Sequence, residues 1–288
     1  MPHELAAPSW LRFIPFNKTL FGRISRDYAA ITVLAMAMAV SWHWMFVSFL
    51  PKYNMRYQLA YIRKMASAFK AIMGPDIDSL AGLLSQTSIG AVAYVHPITL
   101  AILLGFAIML PSGVLVGQID RGTIELILST QLSRFKLMVT TFLAGCVGGV
   151  FLILAMLFGT YLGLTFTKLE EPFHFDRIVI CAVNLYAVYL LALAISTFLS
   201  SVTRLRGYAV GWAVGLGLVA YLLHYLAEWW DWVQRISYLG PIYYYHPIKI
   251  ATQPEFDPTR DIVLLCAVAA VFLAAAIACF SRRDIAVV

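Results

Sequence analysis

Hydrophobic positions in this chain gather into six long uncharged runs: roughly Tyr28–Leu50, Gly90–Gly117, Leu137–Thr167, Ile178–Thr203, Gly207–Ala227 and Ile262–Ser281. Each holds the ~20 residues a helix needs to cross a hydrocarbon core. Barrel strands would need only ~10 residues and would alternate apolar with polar positions, which these runs do not do. No water reaches the backbone inside a bilayer, so a run of this length satisfies its own hydrogen bonds as a helix. The pattern predicts an all-α, polytopic membrane protein with six transmembrane helices. Composition agrees, with 61% apolar and 12% charged residues in 288, outside the soluble range. The first run is too long for a cleaved signal and no small-residue cleavage site follows it, so it reads as a retained helix.

The polar stretches divide the chain into a leader, 1–27, and a transmembrane domain, 28–288, with a segment at 118–136 between the second and third runs. Six crossings put both termini on one side. Placing them in the cytoplasm of a cell inner membrane leaves 11 of the 21 Lys and Arg residues inside, in shorter and therefore more basic segments. The leader agrees. From Pro15, Phe16, Leu20, Phe21 and Ile24 share one helical face while Lys18, Arg23 and Arg26 share another. Such a helix lies in the plane of anionic membrane lipid, or simply anchors the first run. On the opposite side, Arg56, Arg63 and Lys70 recur every seven residues within the loop 51–89. They predict a surface helix ending at Gly74-Pro75, which either receives an extracytoplasmic protein or headgroup or lies flat on the leaflet. The segment from Glu228-Trp-Trp-Asp-Trp232 to Tyr243-Tyr-Tyr-His-Pro247 is dense in interfacial aromatics. It reads as an aromatic belt or as short re-entrant pieces.

Catalytic chemistry is absent from the motifs. There is no G-x-x-x-x-G-K-[ST] phosphate loop, no H-E-x-x-H and no G-x-S-x-G, so neither an ATP site, a metal nor a catalytic residue is expected in this chain. The net charge of +6 is scattered, which gives nucleic acid no footprint. Cys146, Cys181, Cys266 and Cys279 all fall within runs, as free thiols rather than a disulfide framework. Polar groups within spans are functional candidates by default, and these are His43, His96, Asn184 and His224, of which His43, Asn184 and His224 are the candidates for a substrate path. The scarcity of charge there favours a lipid-like, peptide or weakly polar cargo over a highly charged one. Gly113/Gly117, Gly145/Gly149, Gly159/Gly163 and Gly211/Gly215 permit close helix approach without identifying an interface.

The segment after the second run, Gln118-Ile-Asp-Arg-Gly-Thr-Ile-Glu-Leu-Ile-Leu-Ser-Thr-Gln-Leu-Ser-Arg134, carries the sharpest signal. Read as a helix from Arg121, it gathers Ile124, Ile127 and Leu128 on one side. Asp120 falls at the helix start, where a carboxylate meets the positive end of the dipole. Gly122 permits a partner backbone to approach, and Ser129-Thr130 is placed to cap the helix that follows. The result is a bracket tied at both ends to membrane helices.

This stretch resembles the coupling segment of the ABC-2 type permease family, the membrane half of many ATP-driven transporters. The match runs from Asp120 to Arg134, with Arg-Gly-Thr-Ile-Glu-Leu its most specific part. Phe280-Ser-Arg-Arg-Asp-Ile285 is similar to the family's ending. Gln118 stands where the family usually has Glu, and Gln131 where it usually has Pro. The resemblance implies type V exporter-like architecture and a dimer with a second copy or a paralogous permease. It also implies a separately encoded ABC ATPase that holds ATP and Mg and docks on Asp120, Arg121, Gly122, Thr123, Glu125 and Ser129. The expected function is an ATP-driven permease subunit, with export the expected direction by the family's habit. A membrane anchor that passes ATPase motion to an outer partner is the alternative, with loop 51–89 as its contact.

Overall fold

The computed structural model describes residues 16–52, 85–124, 132–169, 172–227 and 229–283. The outer surface helix expected between Arg56 and Ile72, together with Glu125, Ser129 and Gln131, therefore lies outside the described residues. Among those described there is no strand. Six helical stretches are long and apolar enough to cross a membrane: span 1 Ala29–Phe49, span 2 Gln86–Asp120, span 3 Arg134–Phe166, span 4 Phe175–Val202, span 5 Arg206–Leu226 and span 6 Thr259–Arg282.

Hydrophobicity sets where the spans run, but capping sets where they begin. The leader helix, Lys18–Asp27, starts after Asn17, whose side chain accepts from Leu20 N at 2.9 Å. The expected start at Pro15 is thus moved by a better cap. Span 3 opens after Ser133, whose Oγ accepts from Lys136 N at 3.2 Å, so the cap of this helix is Ser133 rather than Ser129-Thr130. Span 2 begins at Gln86, ahead of the uncharged run, because Ser85 caps it. It breaks at His96-Pro97, where His96 is extended at ψ 139°. Proline cannot donate and disfavours helical backbone in the residue before it.

Span 4 occupies the centre. It packs most extensively against span 6 and also touches spans 2, 3 and 5, while span 1 packs along span 3. Three of the four glycine pairs turn out to be close approaches. A Cβ on Gly159 would stand 2.5 Å from Val40 O, and one on Gly163 2.5 Å from Val47 Cβ, both in span 1. Gly145 and Gly149 face Leu193 and Tyr189 of span 4 in the same way. A Cβ on Gly211 or Gly215 of span 5 would meet nothing within 4 Å. Hydrogen bonds reinforce the glycine contacts: Tyr189 donates to Gly145 O at 2.7 Å and Tyr186 to Cys146 O at 3.0 Å. All four cysteines are free, with Cys279 exposed.

At one end of the bundle the leader helix docks on span 3, where Asn17 N donates to Thr140 Oγ1. Ile24 is buried, and Lys18, Arg23 and Arg26 are exposed. At the far end the chain from Asp231 to Thr252 forms four short helical pieces, with Tyr245, Pro247 and Ile250 buried and Trp229, Trp230 and Trp232 exposed.

Candidate functional site at the turn between spans 2 and 3

Span 2 does not start a new helix at Asp120; it ends there. Its last turns are a π-helical stretch, Ser112–Val116, followed by Gly117–Asp120. The chain then reverses through Gly122, whose φ of 68° is the one positive value among the described residues. Gly122 N donates to Ile119 O at 3.0 Å and Thr123 N to Gln118 O at 2.9 Å. This pair of bonds is the Schellman ending of a helix, which favours glycine at the left-handed position. Gly122 is therefore required by the backbone itself, a reason separate from room for a partner.

The Gln118 departure also finds a physical account. The Thr123 hydroxyl donates to Gln118 Oε1 at 2.5 Å, a bond a Glu carboxylate oxygen would accept equally well. Gln118 keeps the acceptor and drops the charge.

Both ends of the turn are tied to other spans. Asp120 Oδ2 accepts from Arg206 N at 3.3 Å, at the first residue of span 5. The carboxylate does meet the positive end of a helix dipole, but that of span 5, 86 residues away. The Arg206 side chain in turn runs past span 2: its Cδ would lie 3.4 Å from a Cβ on Gly117, and its Nη2 3.6 Å from one on Gly113. The Tyr28 hydroxyl fills the rest of the Gly113 slot and reaches Leu110 O at 3.5 Å. Arg121 folds back, Nε donating to Gly117 O at 2.9 Å.

On the other side of the bracket, Arg134 donates to Ser281 O at 3.4 Å and to Arg283 O, the carbonyls that end span 6. Arg283 donates to Ser201 O at 2.9 Å, at the end of span 4. Arginine at a helix C-terminus satisfies orphan carbonyls and opposes the negative end of the dipole. The bracket is thus linked to span 5 through Asp120 and to span 6 through Arg134, and the end of span 6 is in turn held to span 4 through Arg283.

Of the residues singled out in the sequence, Asp120, Arg121 and Gly122 are exposed around this turn, Thr123 is half-buried and Ile124 is fully buried. Glu125 and Ser129 lie outside the described residues. The in-span candidates do not gather at one place. His43 is fully buried, with Nδ1 2.9 Å from Ala39 O and its ring against Tyr94. Asn184 pins the far-end pieces, donating to Tyr244 O and accepting from His246 N, both at 3.2 Å. His224 lies near enough to His246 to act on its charge. Arg206, Arg283, Ser133 and Tyr28 had no signal of their own beyond the basic turns at 204–206 and 282–283.

A family model described as "Multidrug efflux system permease Rv1217c, C-terminal domain" matches residues 87–281 of this chain. No curated protein and no solved structure gives a match.

Proposed function

The chain belongs to the family of the Rv1217c multidrug efflux permease, an ABC-2 type permease family, and from that membership we propose that it is the membrane subunit of an ATP-driven exporter. The subunit works with a separately encoded ABC ATPase, which holds ATP and Mg, and with a second copy of itself or a paralogous permease. It sits in the cell inner membrane with both termini cytoplasmic. The leader helix, Lys18–Asp27, rests its exposed cations on anionic lipid there.

The observation that carries this reading is the double tie of the bracket: Asp120 to the start of span 5, and Arg134 and Arg283 to the ends of spans 6 and 4. The ATPase contacts the exposed residues Asp120, Arg121 and Gly122, then Thr123, Glu125 and Ser129. When the ATPase pair closes, it presses on this turn. The displacement passes into span 5 through Asp120 and into span 6 through Arg134, and from span 6 to span 4 through Arg283. The π-helical stretch just before it, a local departure from α-geometry of the kind that recurs at functional sites, is where span 2 bends to follow. Asn184 and His224, near the far-end pieces, feel that movement at the opposite face. His43, between spans 1 and 2, does so one layer further in.

The test is co-purification of the tagged chain with the ATPase encoded beside it, comparing native protein with Gly122→Trp and Glu125→Arg. The proposal expects the native chain to retain the ATPase and both variants to lose it. Retention of full ATP turnover by both variants would place the docking site elsewhere.

A further inference from the structure

Spans 2, 4, 5 and 6 fail to close on one another toward the far end. Between them lies a cavity of about 560 Å³, within the ~300–1,000 Å³ typical of small-molecule sites. Leu104 and Ile108 of span 2, Leu191 of span 4 and Phe272 of span 6 contribute to its walls, and the turns Tyr238–Tyr244 roof it. No residue lining it is charged, and its side-chain hydroxyls are those of Ser196, Tyr238 and Tyr244.

The void has a cause in the sequence. On span 5, Ala209, Ala213, Gly217 and Ala220 follow one another at i, i+4, i+8 and i+11, a single narrow stripe. The bulky Tyr208, Trp212, Leu218 and Leu222 lie elsewhere on that helix and are exposed. Ala213, Gly217 and Ala220 line the cavity, flanked by Leu216, Val219 and Leu223 of the same helix. Along that stripe the helix turns only methyl groups and hydrogens inward, so the volume that larger side chains at those positions would take is left unfilled. Protein interiors are otherwise close-packed, so a space of this size departs from the rest of the bundle.

We propose that this cavity is a binding site for a neutral, lipophilic small molecule, the cargo of the permease. The inference rests on the efflux-permease reading given above and adds to it the site and the chemistry of the cargo. An ion entering here would be desolvated with no opposite charge to meet. A phospholipid would bring a charged headgroup to a roof that offers it no cation. An uncharged aromatic or aliphatic compound exchanges water or lipid contacts for the leucine and phenylalanine walls, and the three hydroxyls orient one polar group upon it.

Two matched substitutions test this. A Cβ on Gly217 or on Gly215 meets no atom within 4 Å, so at neither position does the first carbon of a new side chain clash. Gly217 lies on the stripe facing the cavity, whereas Gly215 is rotated about 160° from it on the helical wheel. The permease–ATPase complex in nanodiscs is titrated with the neutral fluorophore N-phenyl-1-naphthylamine, and bound phospholipid is counted by mass spectrometry. Gly217→Phe is expected to weaken probe binding by at least about tenfold, the scale on which an apolar pocket responds to steric change, while Gly215→Phe binds as the native complex does. Equal binding in native and Gly217→Phe complexes overturns the proposal, as does a Gly217→Phe complex that sheds phospholipid and keeps the probe. Whether the ATPase co-purifies is read separately in the same preparations. A complex that never forms defeats the ATP-driven reading, while loss of probe binding in Gly217→Phe alone still supports the cavity.

Discussion

Gly122 offers a perturbation whose size follows from backbone geometry alone. Its φ of 68° is left-handed, where a Cβ crowds the following carbonyl at about 1–2 kcal/mol. Gly122→Ala should raise the energy of the turn by that amount. Asn tolerates this region several-fold better than most residues, so Gly122→Asn should cost clearly less. The reporter is the amide of Thr123, which donates to Gln118 O at 2.9 Å across the turn. A local opening made easier by about 1–2 kcal/mol is a factor of about 5–30 in its equilibrium. Hydrogen exchange of this amide in the nanodisc-embedded protein should therefore speed up by that factor in Gly122→Ala and by much less in Gly122→Asn. Equal exchange in the two variants, or no change in Gly122→Ala, would falsify the claim that the backbone itself demands glycine here.

The glycine contacts predict an asymmetry along the bundle. Gly159→Leu should separate spans 1 and 3, since its Cβ alone would stand 2.5 Å from Val40 O and overpacking typically costs about 1–3 kcal/mol. Gly211→Leu, with nothing within 4 Å, should melt within about 0.5 kcal/mol of native, as exposed substitutions do. Asn17→Ala should lose about 1 kcal/mol of leader-helix stability, detectable as faster proteolysis after Arg23 or Arg26 with the spans still folded. The far-end turn should be sensitive to acid. Burial first, then Lys249 and His224, press His246 below its ordinary value, against the opposing carboxylate of Asp261 at 3.7 Å. Span 4 adds only the neutral Asn184, through its bond to His246 N. An unfolded histidine titrates near pH 6.5, so as pH falls from there toward the lower folded value the unfolded state takes up more protons and stability drops. Above that pH the group contributes nothing. The melting temperature should fall between pH 7 and pH 5.5, and His246→Gln should remove part of that fall.

The spans were legible because a bilayer leaves few choices: ~20 uncharged residues in a row must bury their backbone polar groups in a helix. Their ends were less so, because Asn17, Ser85 and Ser133 fix them through single side-chain bonds that hydropathy does not register. The break of span 2 is visible in His96-Pro97, yet the uncharged run continues across it and masks it. Glycine spacing occurs four times in similar form, and only the opposing helix decides that Gly159 and Gly163 are contacts while Gly211 and Gly215 are not. The turn at Gly122 is marked by the residues of its motif. The partner of Asp120 is not, since Arg206 is brought to it by the packing of span 5 beside span 2. The cavity was equally hidden. It borders span 5 at Ala213, Gly217 and Ala220 as well as at Leu216, Val219 and Leu223, and only the packing of the other spans decides that a void is left there.

The central claim is that the bracket transmits force through its ties and does more than receive the ATPase. The most direct measurement is the number of probe molecules exported per ATP hydrolysed in reconstituted vesicles, for native protein and for Arg134→Ala. Arg134 holds the bracket to the end of span 6 and is not among the residues assigned to ATPase contact. The account predicts that the ATPase stays bound and hydrolyses ATP while export per ATP falls severalfold. Unchanged export per ATP in that variant, with the tie to span 6 removed, would contradict it.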